Sequence, residues 1–408
     1  MGLLIRISWR NLWRNPRRSS ILISAIVVCI FALLITLSYI NGILRQLVRN
    51  SVDFHMGEME IYKKGFYDDK DPKKNIPHFE EILTFLGKSE KVRNYAPRIE
   101  GRGLISSGYS SSGVRIIGID AGREGNITLV KRSLISGRYL QTAGEHEILI
   151  GQKMAHKLKV DLGSKVVLTV QTVNNELASD AYRVVGIYKT ISSDFDKYMV
   201  YLPIGKARKL LEMERGITGI AVRTDIGEGM ITLEKEIEET FPQHRIDALT
   251  WAELEPLIAE MVRISKRWNM IFFAAIFIIL SIGIINTQNI AVYERMHELG
   301  IVKAMGTRPF FIFSMIMMET FFLGLVGLAA GFLVSCPFIF YFSVKGLSLT
   351  MFSEGLEMFG IGATIYFDIA FIDILYSALS IMITSFFGAF IPAVRASRLE
   401  PVTAIRYV

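Results

Sequence analysis

The chain has 408 residues, of which 51% are hydrophobic and only 21% charged, with a net charge of +7 and a mean hydropathy of +0.35. Residues 45–267 hold 34 Lys+Arg and 31 Asp+Glu, whereas the rest of the chain holds only 12 and 8. One solvent does not suit both compositions. A purely soluble enzyme, a disordered tail and a small disulfide scaffold are excluded, and a membrane protein with one large water-soluble domain is expected.

Residues 1–18 read as an interfacial amphipathic helix. Ile5, Trp9, Leu12 and Trp13 fall at i, i+4, i+7 and i+8, with Arg6, Arg10 and Arg14 on other faces. A generic basic anchor fits the same pattern. Asn15-Pro16 should break the helix. Residues 19–44 carry no charge and are long enough to cross a bilayer of about 30 Å. That run is too long for a signal peptide and lacks a small-residue cleavage site, so it should be retained.

Residues 45–267 read as an α+β domain with helical stalk ends. Arg45 to His55 continues the first span, and Val52 to Lys64 turns strand-like, with Met59 and Ile61 alternating against Glu58 and Glu60. Phe79–Leu86, Gln152–Leu158, Ile204–Glu212 and Gly229–Phe241 look helical. Glu147–Ile150, Lys165–Gln171 and Arg183–Tyr188 look like strands, and Gly101–Asp120 like a hairpin. Trp251 to Trp268 should form a last helix leading into the next span.

Three further spans follow: 268–293, 310–344 and 369–394, with a loop at 294–309, a loop at 345–368 and a tail at 395–408. The fold class is therefore four transmembrane α-helices, one plus three, with a large α+β domain inserted between the first and second. The third span carries one charge, Glu319, and the fourth one, Asp373. Both lie near span ends and read as solvated or paired carboxylates rather than a proton relay. Gly324, Gly327 and Gly331 contain a G-x-x-x-G and read as helix-packing residues.

The short flanks set the orientation. Eleven basic residues lie before the first span, between the second and third, and after the fourth, Arg406 among them. The loop between the third and fourth has Lys345 against Glu354, Glu357 and Asp368. Both termini should be cytoplasmic and the large domain outside. Topology accounts for the positive charge, so no nucleic-acid partner is expected. Both cysteines, Cys29 and Cys336, fall within spans and read as small buried residues.

Catalytic patterns are missing. No P-loop is present, His146-Glu147 and His297-Glu298 do not complete H-E-x-x-H, and no G-x-S-x-G occurs. Gly101-x-Gly103 and Gly227-x-Gly229 read as turns. No catalytic residue, metal site or cofactor is expected in this chain.

One loop carries a specific signal. It runs Glu294-Arg295-Met-His-Glu298-Leu299-Gly300-Ile-Val-Lys303-Ala-Met-Gly306. Its pattern suggests a short amphipathic helix with charged ends. The string resembles the E-R-x-x-E-[IL]-G-[IL]-x-[KR]-A-[LMI]-G segment of FtsX-like ABC-transporter permeases, a group that includes the lipoprotein-releasing LolC/LolE branch and MacB. "WRNLWRNPRRS" near the start and "PAVRASRLEPVTAIRY" near the end resemble the family's terminal signatures. "GEMEIYKKGFY", "VVGIYKT", "FDKYMVYLP" and "ITGIAVRTD" resemble the lipoprotein branch.

The resemblance implies a non-catalytic permease subunit of a type VII ABC transporter in the cell inner membrane. Two copies of a separate ATPase subunit would bind ATP and Mg. A second permease would pair with this chain, as a homodimer or a LolC/LolE-like heterodimer. MacB has its ATPase fused at the N-terminus, and this chain opens at the interfacial helix. Glu294, Arg295, Glu298, Leu299, Gly300, Lys303 and Gly306 would couple to the ATPase. The outside domain would correspond to a two-lobed periplasmic unit. A lipoprotein would enter from the outer leaflet past Leu37, Ile40, Leu44, Leu47, Ile264, Trp268, Ile271 and Phe272, which otherwise read as lipid-facing or dimer-packing residues. A periplasmic carrier is a candidate partner, although no carrier-recruiting loop is located. The alternatives are a MacB-like mechanotransmitter for peptide, toxin or drug efflux, and an FtsX-like regulator of a cell-wall hydrolase. The size of the outside domain argues against the last.

Overall fold

A computed structural model describes residues 2–141, 146–224 and 228–400. Residues 401–407 of the C-terminal signature, Arg406 among them, as well as Asp225 and Gly227, lie outside the described residues. The chain forms two compact units. One comprises Met1–Leu44, Val262–Ser348 and Thr364–Val408, the other Arg45–Met261 and Leu349–Ala363.

The first unit is helical. α1 (Gly2–Arg14) is followed by α2 (Pro16–Ser51), α3 (Pro256–Glu294), α4 (Met296–Ala304), α5 (Pro309–Lys345) and α6 (Phe371–Ser397). Four of these, α2, α3, α5 and α6, are long and apolar enough to cross a membrane. α2 has 36 residues and α3 has 39. At about 1.5 Å per residue each exceeds the roughly 30 Å hydrocarbon core by more than 20 Å.

Glycines set the helix packing. A Cβ at Gly327 would stand 2.7 Å from Cγ2 of Ile26, and one at Gly331 would stand 2.9 Å from Cβ of Ile30. A Cβ at Gly324 would meet the Ser385 hydroxyl at 2.6 Å, and one at Gly388 would meet Ile284 at 2.9 Å. The absence of side chains thus brings α5 against α2 and α6, and α6 against α3. Leu12, Leu22, Ile26, Ile30 and Leu34 join Leu280, Ile284, Leu323 and Ile381 in one apolar cluster. The C-terminal half of α2 is tied by the Asp368 amide to the Ser38 carbonyl at 3.0 Å and by Asn41 Nδ2 to Asp373 at 2.8 Å.

The second unit is built on a ten-stranded sheet: β1 (Met59–Lys63), β2 (Val92–Ser106), β3 (Ser111–Ile119), β4 (Leu134–Gly137), β5 (Glu147–Gly151), β6 (Lys165–Gln171), β7 (Leu177–Tyr188), β8 (Met199–Pro203), β9 (Gly219–Thr224) and β10 (Ile246–Thr250). The order is β10-β1-β9-β2-β3-β8-β5-β7-β4, with β6 pairing β2 and β7. β3 runs parallel to β8, and β5 to β7. The middle strands feed both faces. Ile116, Ile148, Ile150, Val200 and Leu202 enter the main core, while Ile117, Ile119, Leu149, Met199 and Tyr201 form a second cluster. Burial on both faces explains why these strands read as continuous apolar runs. The helices Phe79–Lys88, Gln152–Leu158, Ile204–Leu210 and Glu228–Thr240 contribute to the main core.

Several local expectations change. Val52–Met56 is a π-helical turn, not a strand, and ends at Gly57 with φ 77°, where a Cβ would meet the Val222 carbonyl at 2.7 Å. Trp251–Leu254 is a separate turn of helix with a Thr250–Glu253 capping box, and α3 starts afresh at Pro256. Glu255 precedes that proline, which disfavours helical geometry at 255. The segment 345–368 is not a plain loop: Leu347–Ser348 pairs with Thr364–Ile365, and Ser353–Met358 is helical.

Candidate functional site

The signature loop folds as α4 because Arg295 breaks the helix between Glu294 and Met296. Leu299 and Gly300 turn inward and are buried. Leu299 packs with Val292, Ile312, Ile316, Ala393 and Ala396. The charged signature residues also turn toward the chain's own helices. Arg295 Nη1 donates to Glu319 Oε2 at 3.1 Å, and its Nη2 donates to the Asn11 carbonyl at 3.3 Å. Arg18 reaches the same Glu319 at 3.1 Å and Glu294 at 3.6 Å. Glu319 is almost fully buried, so its carboxylate stands between two guanidinium groups from α2 and the α3–α4 junction.

Glu298 accepts a two-pronged contact from Arg14 of α1, one branch at 2.8 Å. That hydrogen bond, reinforced by the cation's charge, holds the Glu298 carboxyl below its ordinary value. Lys303 Nζ donates to the carbonyls of Ser397 at 2.9 Å and Leu399 at 2.5 Å. It thereby satisfies carbonyls at the C-terminal end of α6, where a cation is also favoured by the helix dipole. Gly306 closes α4 at φ 91°.

Its own charges thus tie α4 to α1 and α6, and Arg295 at its N-terminal junction ties it to α5. Glu298 stays half exposed, and the outward surface also carries His297, Ile301, Ala304 and Met305, with Met305 at 74%. Ile301 and Met305 are four residues apart and lie one turn above the other. The signature's resemblance assigns the coupling contact to Glu294, Arg295, Glu298, Leu299, Gly300, Lys303 and Gly306 and does not single out this outward apolar pair. The i, i+4 spacing of Ile301 and Met305 was the available signal.

The proposed passage residues separate into two groups. Ile264, Trp268, Ile271 and Phe272 are exposed along α3. Ile40 and Leu44 of α2 are half-buried. Leu37 and Leu47 are covered by the chain's own residues and present almost no surface, which removes them from a lining role in this conformation. Gly324, Gly327 and Gly331 are buried at the helix contacts described above.

The second unit holds a charge cluster that alternation alone did not reveal. Glu58 and Glu60 alternate with Met59 and Ile61 but do not face water; all four are buried. Gly219 of β9 lies between Tyr62 and Arg98, and Ala221 between Glu60 and Ala96. These two small residues let side chains meet across the intervening strand; a Cβ on Gly219 would stand 2.5 Å from the Tyr62 ring. Arg98, 1% exposed, contacts Glu60 at 2.8 Å and Glu124 at 2.5 Å. Arg115 contacts Glu100 at 2.5 Å, and Lys70 lies 3.6 Å from Glu100 beneath the Tyr67 ring. Three cations balance three carboxylates.

Tyr62 joins the carboxylates. Its hydroxyl has one hydrogen and lies between Glu60 and Glu100, at 2.7 Å from the latter. One proton cannot serve both carboxylates. Burial and the neighbouring Glu100 charge push Glu60 up to about 6, against the pull of Arg98 and Lys70. A proton on Glu60 completes the chain of hydrogen bonds.

Four described helices are long and apolar enough to cross a membrane, and a sheet domain is inserted after the first. Residues 19–240 match the family model "MacB-like periplasmic core domain", and residues 270–401 match "FtsX-like permease C-terminal". The chain belongs to this MacB-like, FtsX-like ABC permease family. Among its relatives is the lipoprotein-releasing system transmembrane protein LolC of Neisseria meningitidis, 23% identical over 94% of this chain and 93% of the relative. LolE of Haemophilus influenzae is 20% identical over 81% of each chain. A crystal structure of the periplasmic region of MacB from Actinobacillus actinomycetemcomitans is 16% identical and covers 49% of this chain and 92% of that one, with a TM-score of 0.36.

Proposed function

We propose that the chain is a permease subunit of a type VII ABC transporter that releases lipoproteins from the outer leaflet of the inner membrane, driven by ATP and Mg bound in two separate ATPase subunits. A second permease completes the complex, either a second copy or a LolC/LolE-like sister. Both termini are cytoplasmic and the sheet domain is periplasmic, in keeping with the eleven basic flank residues. The names of the full-length relatives support lipoprotein as cargo.

The observation that carries the coupling role is the orientation of α4. Its charges are spent on the chain's own helices, and Ile301 and Met305 are left facing outward. These two residues seat in the ATPase. Movement of α4 then carries α1, α5 and α6 with it, and α2 and α3, longer than the bilayer is thick, convey the displacement outward. The exposed residues Ile264, Trp268, Ile271 and Phe272 face the lipid anchor of the cargo.

The test is co-purification of the full chain with its ATPase. Ile301→Asp with Met305→Asp should abolish association and leave folding within about 0.5 kcal/mol, as for other exposed substitutions. Retention of the ATPase by a normally folded double variant would remove the coupling assignment.

A further inference from the structure

The membrane-facing surface between α3 and α6 contains a groove that the transport reading does not use. Its volume is about 550 Å³, within the range of small-molecule sites, about 300–1,000 Å³. Phe273 and Phe277 of α3 and Leu379 and Ile383 of α6 form its walls. Lys266, Asn269 and Asp373 stand at one end. From Lys266 to Phe277, and from Asp373 to Ile383, each helix advances roughly 15 Å. That is half of the roughly 30 Å hydrocarbon core, the depth of one leaflet. The groove therefore has the length of a single acyl chain, with its polar end where a headgroup lies.

The polar end favours phosphate. Lys266 is flanked on its own helix by Arg263 and Arg267, and all three are exposed. Asp373 is the carboxylate at this end, and it already accepts from Asn41 at 2.8 Å and from the Ala370 amide at 3.4 Å. The Asn269 side-chain carbonyl is buried without a hydrogen-bond partner. A buried acceptor of this kind is costly unless a donor reaches it. A headgroup with a phosphate and a hydroxyl supplies both an anion for Lys266 and a donor for Asn269.

We propose that the α3–α6 groove binds one phospholipid of the adjacent leaflet, its acyl chain between Phe273 and Leu379 and its phosphate at Lys266. The glyceride anchor of a lipoprotein carries no phosphate, so this occupant is distinct from the proposed cargo. The inference does not depend on the transport reading, because lipid retention is measured on the chain without its ATPase.

The experiment is native mass spectrometry of the detergent-solubilised full chain with phosphatidylglycerol or diacylglycerol as the probe. Wild type should retain one phosphatidylglycerol per chain and no diacylglycerol. Lys266→Glu should weaken retention about tenfold, equal to about 1.4 kcal/mol, in keeping with the worth of surface charges near anionic lipid. Leu379→Trp fills the groove at an exposed position and should abolish retention without changing thermal stability. Equal retention of phosphatidylglycerol by all three chains overturns the site. Equal retention of diacylglycerol overturns the phosphate assignment. Dissociation of a dimer by Leu379→Trp with lipid binding unchanged shows that a second copy fills the groove and also overturns it.

Discussion

Glu319→Gln tests the brace at its centre. Gln preserves the shape of the side chain but removes the only charge shared by two guanidinium groups. Arg18 would keep Glu294 at 3.6 Å, an exposed carboxylate, and Arg295 would keep the Asn11 carbonyl at 3.3 Å. The side chains of Arg18 and Arg295 are only 11% and 13% exposed, so neither can recover full hydration. Breaking a buried ion pair by removing one partner costs about 3–5 kcal/mol, and partial exposure puts this case near the lower end, about 3 kcal/mol. The assay is thermal unfolding of the purified chain in detergent, together with a double-mutant cycle adding Arg295→Gln. The two substitutions should be non-additive by about 1–2 kcal/mol, since each removes one side of the same contact. With the ATPase present, Glu319→Gln should retain hydrolysis but lose cargo release, because α4 would move without its companions. A cost below about 1 kcal/mol, or strict additivity, would refute the brace.

Three further outcomes follow from other contacts. Glu60 lies above its ordinary carboxylate pKa of 4.5, at about 6; it therefore favours the folded state below about pH 4.5, and this contribution is lost as pH rises through 6. The stability of wild type minus that of Glu60→Gln should fall by about 2 kcal/mol between pH 4.5 and 7, and parallel pH curves would contradict the raised affinity of Glu60 for a proton. Gly327→Leu should cost about 1–3 kcal/mol by overpacking against Ile26, and Ile26→Ala should recover part of it; the absence of rescue in thermal melts would show that α2 and α5 do not meet there. The Ile301 and Met305 substitutions should abolish ATPase association in the co-purification described above.

The sequence announces what depends on neighbouring residues and conceals what depends on distant ones. The four long apolar helices follow from uncharged runs, and the strands Glu147–Gly151 and Lys165–Gln171 follow from short apolar segments between turns. The break before Pro256 is legible in the sequence, since a proline restricts its predecessor, although Trp251 to Trp268 reads as one helix. Charge pairing is different. Arg14 and Arg18 read as orientation charges at the membrane surface, yet they meet Glu298 and Glu319, 284 and 301 positions away. Arg98, Glu60 and Glu124 look like ordinary surface charges in a domain with 34 basic and 31 acidic residues. Only the pairing of β1, β9 and β2, with Gly219 and Ala221 between, brings Glu60 to Arg98, while Glu124 reaches it from the helical turn after β3.

The division of labour on α4 follows from the strength of each kind of contact. A charged residue facing a water-filled interface gains little, because exposed ion pairs contribute about 0–1 kcal/mol and weaken with salt. The same charge turned inward meets a partner with less screening and holds two helices at a fixed angle. Glu319 and Lys303 fulfil that role, one between two arginines and the other on the carbonyls at the end of α6. An apolar side chain behaves in the opposite way. Ile301 and Met305 gain nothing from water and gain in proportion to the area that a partner covers. Ties inside and an exposed apolar pair outside are the arrangement that the proposed coupling role requires. On the proposed coupling, the charges of the signature set how firmly α4 is held, and Ile301 and Met305 set what can dock on it.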